Sequence, residues 1–306
     1  MFFAPPKPIA TRIFATYPAQ YHTATETNDW GLTQPHSRSH HTSLLEGPSV
    51  DSNGVIWCVD IPNGRILNVS SDGVFSVFKT YDGWPTGLKI HRDGRIFITD
   101  AKHGVMVLDP VSGRIEPYLL RAGLERFKAV NDLFFAANGE MWFTDQGLTG
   151  WQDPTGRLFR VRSDGAVDCV LDCIPSPNGL VMNLDETIMY VAVTRANAIW
   201  RVPLMKDGRA CKVGTFIQMS GGGGPDGLAL DSEGRLFIAH VGLGVVWVVD
   251  MLGRPVYRID SCSGHHTTNC AFGGPDRKTL FITESTGATI LSADLDVAGK
   301  PMFSGV

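Results

Sequence analysis

Six residues with a side-chain oxygen recur along this 306-residue chain at steps of 40 to 48 positions: Glu46, Thr86, Asn131, Asn178, Asp226 and Asn269. Two carboxylates, three amides and a hydroxyl form an oxygen-donor set without cysteine or histidine. Hard divalent cations favour such donors. Two carboxylates facing one another also repel, and a dication between them removes that cost. A polar, water-filled channel is the plainer explanation of the same six residues. Ordinary packing is not, because six oxygen-bearing side chains do nothing for an apolar core.

Each of these residues opens one copy of a repeated unit. The copies are EGPSVDSNGVIWCVD, TGLKIHRDGRIFITD, NDLFFAANGEMWFTD, NGLVMNLDETIMYVAV, DGLALDSEGRLFIAH and NCAFGGPDRKTLFITE. Each reads as a short apolar strand, a polar turn and a second strand that ends on a polar residue in most copies. A third strand follows, such as GRILNVS or GRLFRVR, then a turn and a fourth. Four antiparallel strands at a period near 45, six times over, predict an all-β, six-bladed β-propeller as one domain over 1–306. Blades start near 46, 86, 131, 178, 226 and 269. The first strand of every blade lines the central channel, so the six residues converge on one axis. The sixth copy ends one strand short. An N-terminal strand at 9–16 is expected to complete it and close the ring, which removes an open sheet edge. Residues 17–43 then form a polar insertion, in which His36, His40 and His41 are expected at the surface.

Glu46-Gly47-Pro48, Asn131-Asp132, Pro177-Asn178-Gly179 and Pro225-Asp226-Gly227 resemble, in order and spacing, the motifs of the SMP-30/gluconolactonase/LRE family. The resemblance runs from about Leu45 to Asp294. It implies a propeller that hydrolyses lactones with one bound divalent metal. Ca²⁺ is the first choice, and Mg²⁺, Mn²⁺ and Zn²⁺ also fit. By motif match Glu46, Asn178 and Asp226 are the metal ligands, Asp226 is also the catalytic base, and Asn131 holds the substrate or its water. Thr86 and Asn269 complete the ring as substrate contacts. The sugar-lactone branch has an arginine two residues before the equivalent of Asn131, where this chain has Ala129. Trp84, Phe127 and Trp151 nearby suit a substrate less polar than a sugar lactone.

The chemistry that follows is ester hydrolysis. A metal with open positions polarises the carbonyl and acidifies a bound water. Asp226 takes the proton and Asn131 donates to the oxyanion. The same site would serve a non-hydrolytic isomerase, cyclase or lyase, and a binding propeller without catalysis is a further alternative. Asp60, Asp100, Asp145, His240 and Glu284 lie fourteen or fifteen positions after the ring. The acidic members are expected to brace loops. His240 breaks their pattern and is a candidate proton shuttle at the pocket mouth.

Other features exclude rather than suggest. Gly221–Gly224 lacks the Gly-Lys-Ser/Thr of a phosphate loop. No G-x-S-x-G elbow supports a serine esterase. His265 and His266 point to opposite faces of a strand. A net charge of −4 without basic runs gives no reason to expect nucleic acid or membrane as a partner, which leaves a small-molecule lactone or related carbonyl compound. Six cysteines without a C-x-x-C pair, most in apolar runs, read as buried thiols. With no signal peptide or membrane span, the expected location is cytoplasmic.

Overall fold

The computed structural model describes residues 4–22, Trp30 and residues 42–305. His36, His40, His41 and most of the 17–43 insertion lie outside the described residues.

Among the described residues six blades form, each with three or four antiparallel strands built outward from the innermost in chain order, and a separate two-stranded hairpin lies between the second and third blades. The innermost strands are Leu45–Val50, Pro85–Ile90, Val130–Phe135, Pro177–Met182, Gly224–Leu230 and Thr267–Gly273. These six-bladed propeller blades follow from local patterning. β-branched and aromatic residues fill the strands, and most tips of the first hairpins carry a glycine in the left-handed region, such as Gly54 at φ 78°. The core lies between blades. Trp57, Val59 and Ile66 of the first blade pack against Leu88, Ile98 and Met106 of the second. Each such fully buried side chain contributes about 1.5–3 kcal/mol. Among the described residues no helix is long and apolar enough to cross a membrane.

The N-terminal run closes the ring, but as two strands. Arg12–Thr16 pairs antiparallel with Thr289–Asp294 and completes the sixth blade. Lys7–Ala10 instead runs parallel to Pro255–Asp260 and gives the fifth blade a fifth strand. Thr11 sits at the crossing, where its hydroxyl donates to Asp260 O at 2.8 Å and accepts from Cys262 N at 2.9 Å. That clip straddles two blades, which an apolar pattern cannot reveal. Tyr17, at the start of the expected polar insertion, is buried and donates its hydroxyl to Asp60 Oδ2 at 2.7 Å.

At the other end, residues 299–304 cross the face of the disc opposite the hub residues. Phe303 stacks on Phe135 with centroids 5.6 Å apart, and the Arg92 guanidinium lies 4.0 Å from its ring. All six cysteines are free, yet only Cys58 and Cys270 are buried. The expectation that most would be buried fails because Cys169, Cys173 and Cys262 fall on or beside outer strands whose alternate residues face solvent.

Candidate functional site

Every innermost strand carries a register shift of one residue at its hub end, between Glu46 and Ser49, Pro85 and Gly87, Val130 and Leu133, Pro177 and Leu180, Pro225 and Leu228, and Thr267 and Asn269. A bulge breaks the two-residue alternation and re-aims side chains. Here it lets consecutive residues face the axis. The position after each ring residue is Gly47, Gly87, Asp132, Gly179, Gly227 and Cys270, and four glycines let the inner strands come close. A Cβ at Gly179 would stand 2.3 Å from Asp226 O, and one on Gly47 would stand 2.6 Å from Gly87 Cα.

Asp132 occupies one of those second positions, and it is a hub carboxylate that a reading of first positions misses. The Asn269 amide donates to Glu46 Oε2 at 3.0 Å and to Asp132 Oδ2 at 3.3 Å, so it bridges two acids. Asn178 hydrogen-bonds Asp226. Glu46, Asp132, Asn178, Asp226 and Asn269 are all buried. Among the described residues the cation paired with one of them is Lys89, whose Nζ lies 3.8 Å from Asp132 Oδ1. One ammonium against three acids leaves repulsion. Burial, and then the Asp132 charge, push the Glu46 carboxyl up to about 8. Burial and the charges of Glu46 and Asp132 raise Asp226 well above the usual carboxylate range.

Five predicted site residues thus converge: Glu46, Asn178, Asp226 and Asn269 directly, and Asn131 on the strand that carries Asp132. Asn131 donates one amide hydrogen to Gln146 Oε1 at 2.8 Å, and Gln146 Nε2 donates to Ser176 Oγ at 3.0 Å. Gln146 follows the Asp145 brace, and nothing in the repeat pattern marks it. Thr86 does something else. Its hydroxyl lies 2.9 Å from Val130 O and 3.1 Å from Thr99 O, tying the second blade to the third.

The aromatic surround does not form as expected. Phe127 packs edge-on against Phe143 and Phe159 in the core of the third blade, because the hairpin at Arg121–Arg126 turns it inward. Trp84 is half-buried, and its backbone N–H donates to Asp100 Oδ2 at 3.1 Å. Trp151 is 69% exposed on the loop after Asp145. His240 is buried with both ring nitrogens engaged. Trp247 Nε1 donates to Nδ1 at 3.3 Å, so Nε2 carries the proton and donates to Gly221 O at 3.0 Å. Burial lowers its pKa. This geometry makes it a clamp on the glycine-rich loop and leaves no nitrogen for a shuttle.

The acids at the ends of the second strands share one task. Asp60 accepts from Leu44 N at 3.0 Å, Asp100 from Trp84 N and Asp145 from Ala129 N at 2.9 Å. Each donor lies two residues before a ring residue. Glu284 accepts likewise from His266 N at 3.2 Å, three residues before Asn269. The fourth blade has Val193 at this place, and there Thr149 Oγ1 accepts from Ser176 N at 3.0 Å. Among the described residues no cluster of three His, Cys, Asp or Glu makes a metal site by itself. A cation at the hub therefore has to take amide as well as carboxylate oxygens, which Asn178 beside Asp226 provides.

Comparison with known proteins agrees with this architecture. Lactonase drp35 of Staphylococcus aureus strain MW2 is 27% identical over 274 residues, covering 85% of this chain and 81% of the relative. The Staphylococcus epidermidis lactonase drp35 is 29% identical over 227 residues, covering 70% and 69%. Among solved structures, regucalcin from Agrobacterium tumefaciens, described as a calcium-binding protein, superposes with a TM-score of 0.76 at 24% identity, covering 97% of this chain and 98% of that one. A gluconolactonase from Xanthomonas campestris gives 0.74 at 21% identity, covering 96% and 98%. Both structures share the fold. The family model described as SMP-30/Gluconolactonase/LRE-like region matches residues 44–286, all six innermost strands included. The chain belongs to the SMP-30/gluconolactonase/LRE-like family.

Proposed function

We propose that this protein opens a lactone ring by hydrolysis at the hub, with a divalent cation held by Glu46, Asn178 and Asp226. The observation that carries this is the set of three buried acids faced by one ammonium. Two of them are pushed toward their neutral forms, first by burial and then by the charges of the neighbouring acids. A dication is what this donor set lacks, and oxygen donors suit Ca²⁺ first. The relatives named lactonase and gluconolactonase supply the reaction class.

When bound, such a cation polarises the ester carbonyl and acidifies water beside it. The remaining work falls to side chains. The Asp226 carboxylate takes a proton from the attacking water, whose oxygen bonds to the carbonyl carbon. Asn131 has one amide hydrogen on Gln146 and a second to offer the carbonyl oxygen as its charge grows. As the ring C–O bond breaks, the proton passes from Asp226 to the departing alkoxide. Water has then been added across the bond, and the product is a hydroxy acid. A substrate less polar than a sugar lactone is supported by Ala129 alone, since Trp84, Phe127 and Trp151 do not line the hub together.

A lactone panel tests this, assayed after EDTA treatment and again with Ca²⁺, Mg²⁺, Mn²⁺ or Zn²⁺ restored. Turnover is expected to vanish on chelation and to return with one of the ions. Undiminished turnover in EDTA would remove the cation from the mechanism. Product formed in ¹⁸O-water without label would replace hydrolysis by isomerisation or cyclisation.

A further inference from the structure

The short turn Thr194–Ala196 links the second and third strands of the fourth blade on the hub face. It is fixed from both sides by the strands that carry Asn178 and Asp226. Thr194 N donates to Ser176 O at 3.0 Å, two residues before Asn178. Thr194 Oγ1 donates to Pro225 O at 2.8 Å, one residue before Asp226. Gly224 permits this approach, since a Cβ there would stand 2.2 Å from Thr194 O. Asn197, left-handed at φ 48°, closes the turn and donates its side-chain amide to Gly221 O at 2.8 Å.

This anchored turn presents Arg195. The residue is exposed and makes no hydrogen bond or ion pair among the described residues. The Thr194 hydroxyl bonded to Pro225 O sets this turn beside Asp226, where the Arg195 charge acts against the burial and the Glu46 and Asp132 charges that raise that carboxyl. On this face Lys102 pairs with Asp82 and Arg157 with Asp145 and Glu125, whereas Arg121 and Arg126 are exposed on the hairpin before the third blade. What sets Arg195 apart is a turn bonded to both the segment before Asn178 and the residue before Asp226. With a dication bound, the three hub acids and Lys89 balance to neutrality, and the Arg195 charge is left over. A guanidinium without a partner, carried on a turn fixed to the strands of Asn178 and Asp226, is a receptor for a carboxylate, which it can take up through two parallel hydrogen bonds.

We propose that Arg195 is the specificity-determining cation of this site, and that the substrate is a lactone bearing a carboxylate that Arg195 receives. The inference rests on the lactonase reading for its substrate class, but its test does not depend on turnover. Binding of tetrahydrofuran-2-carboxylate, an unreactive ring with the same anion, is measured by calorimetry on the Ca²⁺-loaded protein. Arg195→Gln is expected to weaken it roughly ten- to a hundredfold, the worth of one charge-assisted contact, and Arg195→Lys to recover part of the loss. Equal affinity in wild type and Arg195→Gln overturns the proposal. Kinetics give the second arm, with γ-butyrolactone against its 5-carboxylate. The wild type is expected to favour the carboxylated lactone in kcat/KM, and Arg195→Gln to lose that preference through KM. An unchanged ratio overturns the proposal. If neither lactone is opened while the carboxylate still binds through Arg195, the lactonase reading fails and with it the lactone as substrate, and Arg195 stands as the carboxylate receptor of the site.

Discussion

At the scale of single residues, the hub trades stability for a charged site. Glu46 and Asp226 are buried acids held near one another and near Asp132, and each disfavours the ionised form of the others. Asp226→Asn keeps the shape and removes one charge. Turnover is expected to fall by about a hundredfold or more, the usual worth of a positioned acid–base group. The melting temperature of the metal-free protein is expected to stay level or rise, because a repelling carboxyl has become neutral. Full activity in this folded variant would take the proton-transfer role from Asp226. Gln146→Ala addresses the amide that holds Asn131. Loss of that 2.8 Å hydrogen bond frees the Asn131 side chain to rotate. The expected result is a kcat reduced roughly tenfold with cation affinity intact, which calorimetry and kinetics report separately. A parallel loss of cation affinity would make Gln146 part of the metal support instead.

At the scale of elements, the inner strands must come close enough for side chains from different blades to meet, and glycine at the second position permits it. Gly179→Ala sets a methyl group 2.3 Å from Asp226 O and 2.8 Å from Gly227 Cα, both backbone atoms that cannot turn aside. A cost of about 2–3 kcal/mol is expected in denaturant unfolding. Gly214→Ala, on an outer strand with nothing within 4 Å, serves as the control and is expected to cost less than about 1 kcal/mol. Similar costs at both sites would show that the inner strands have slack. These elements also mark how far the sequence could be read. Glu46, Asn178, Asp226 and Asn269 were legible because a strand–turn–strand pattern repeats locally and aligns them. Asp132 was not, because strict alternation would turn it away from the axis and only the bulge after Val130 brings it round. Thr86 was misplaced because its hydroxyl satisfies carbonyls of its own blade and the next. Lys89, Gln146 and Arg195 owe their places to contacts between blades, which no repeat spells out. The split closing strand has the same origin, since Thr11 joins two blades at once.

At the scale of the whole molecule, the hub acids tie the stability of the ring to pH and to the cation. In the unfolded chain the Glu46 carboxyl ionises near its ordinary value of 4.5, whereas in the folded, metal-free protein it does so near 8. Between those values the folded state holds the proton that the unfolded state has lost. Stability from this group is therefore full below about 4.5 and is lost as pH rises toward 8. Asp226 shifts in the same direction. Glu284 works the other way. Burial pushes it up, but hydrogen bonds from Gly287 and Thr286 outweigh that and hold it below the usual carboxylate range, so its contribution is lost in acid. A cation at the hub requires the ionised acids, so its uptake should release protons and strengthen as pH rises. In EDTA the melting temperature is expected to fall by roughly 5 °C or more between pH 5 and pH 8, about what a few kcal/mol gives in a chain of this size. Saturating Ca²⁺ should flatten that slope, so the gap between the two curves widens with pH. Scanning calorimetry at four or five pH values decides it. Parallel curves would mean that the hub acids are already compensated within the fold, and the energetic case for a cation between them would be gone.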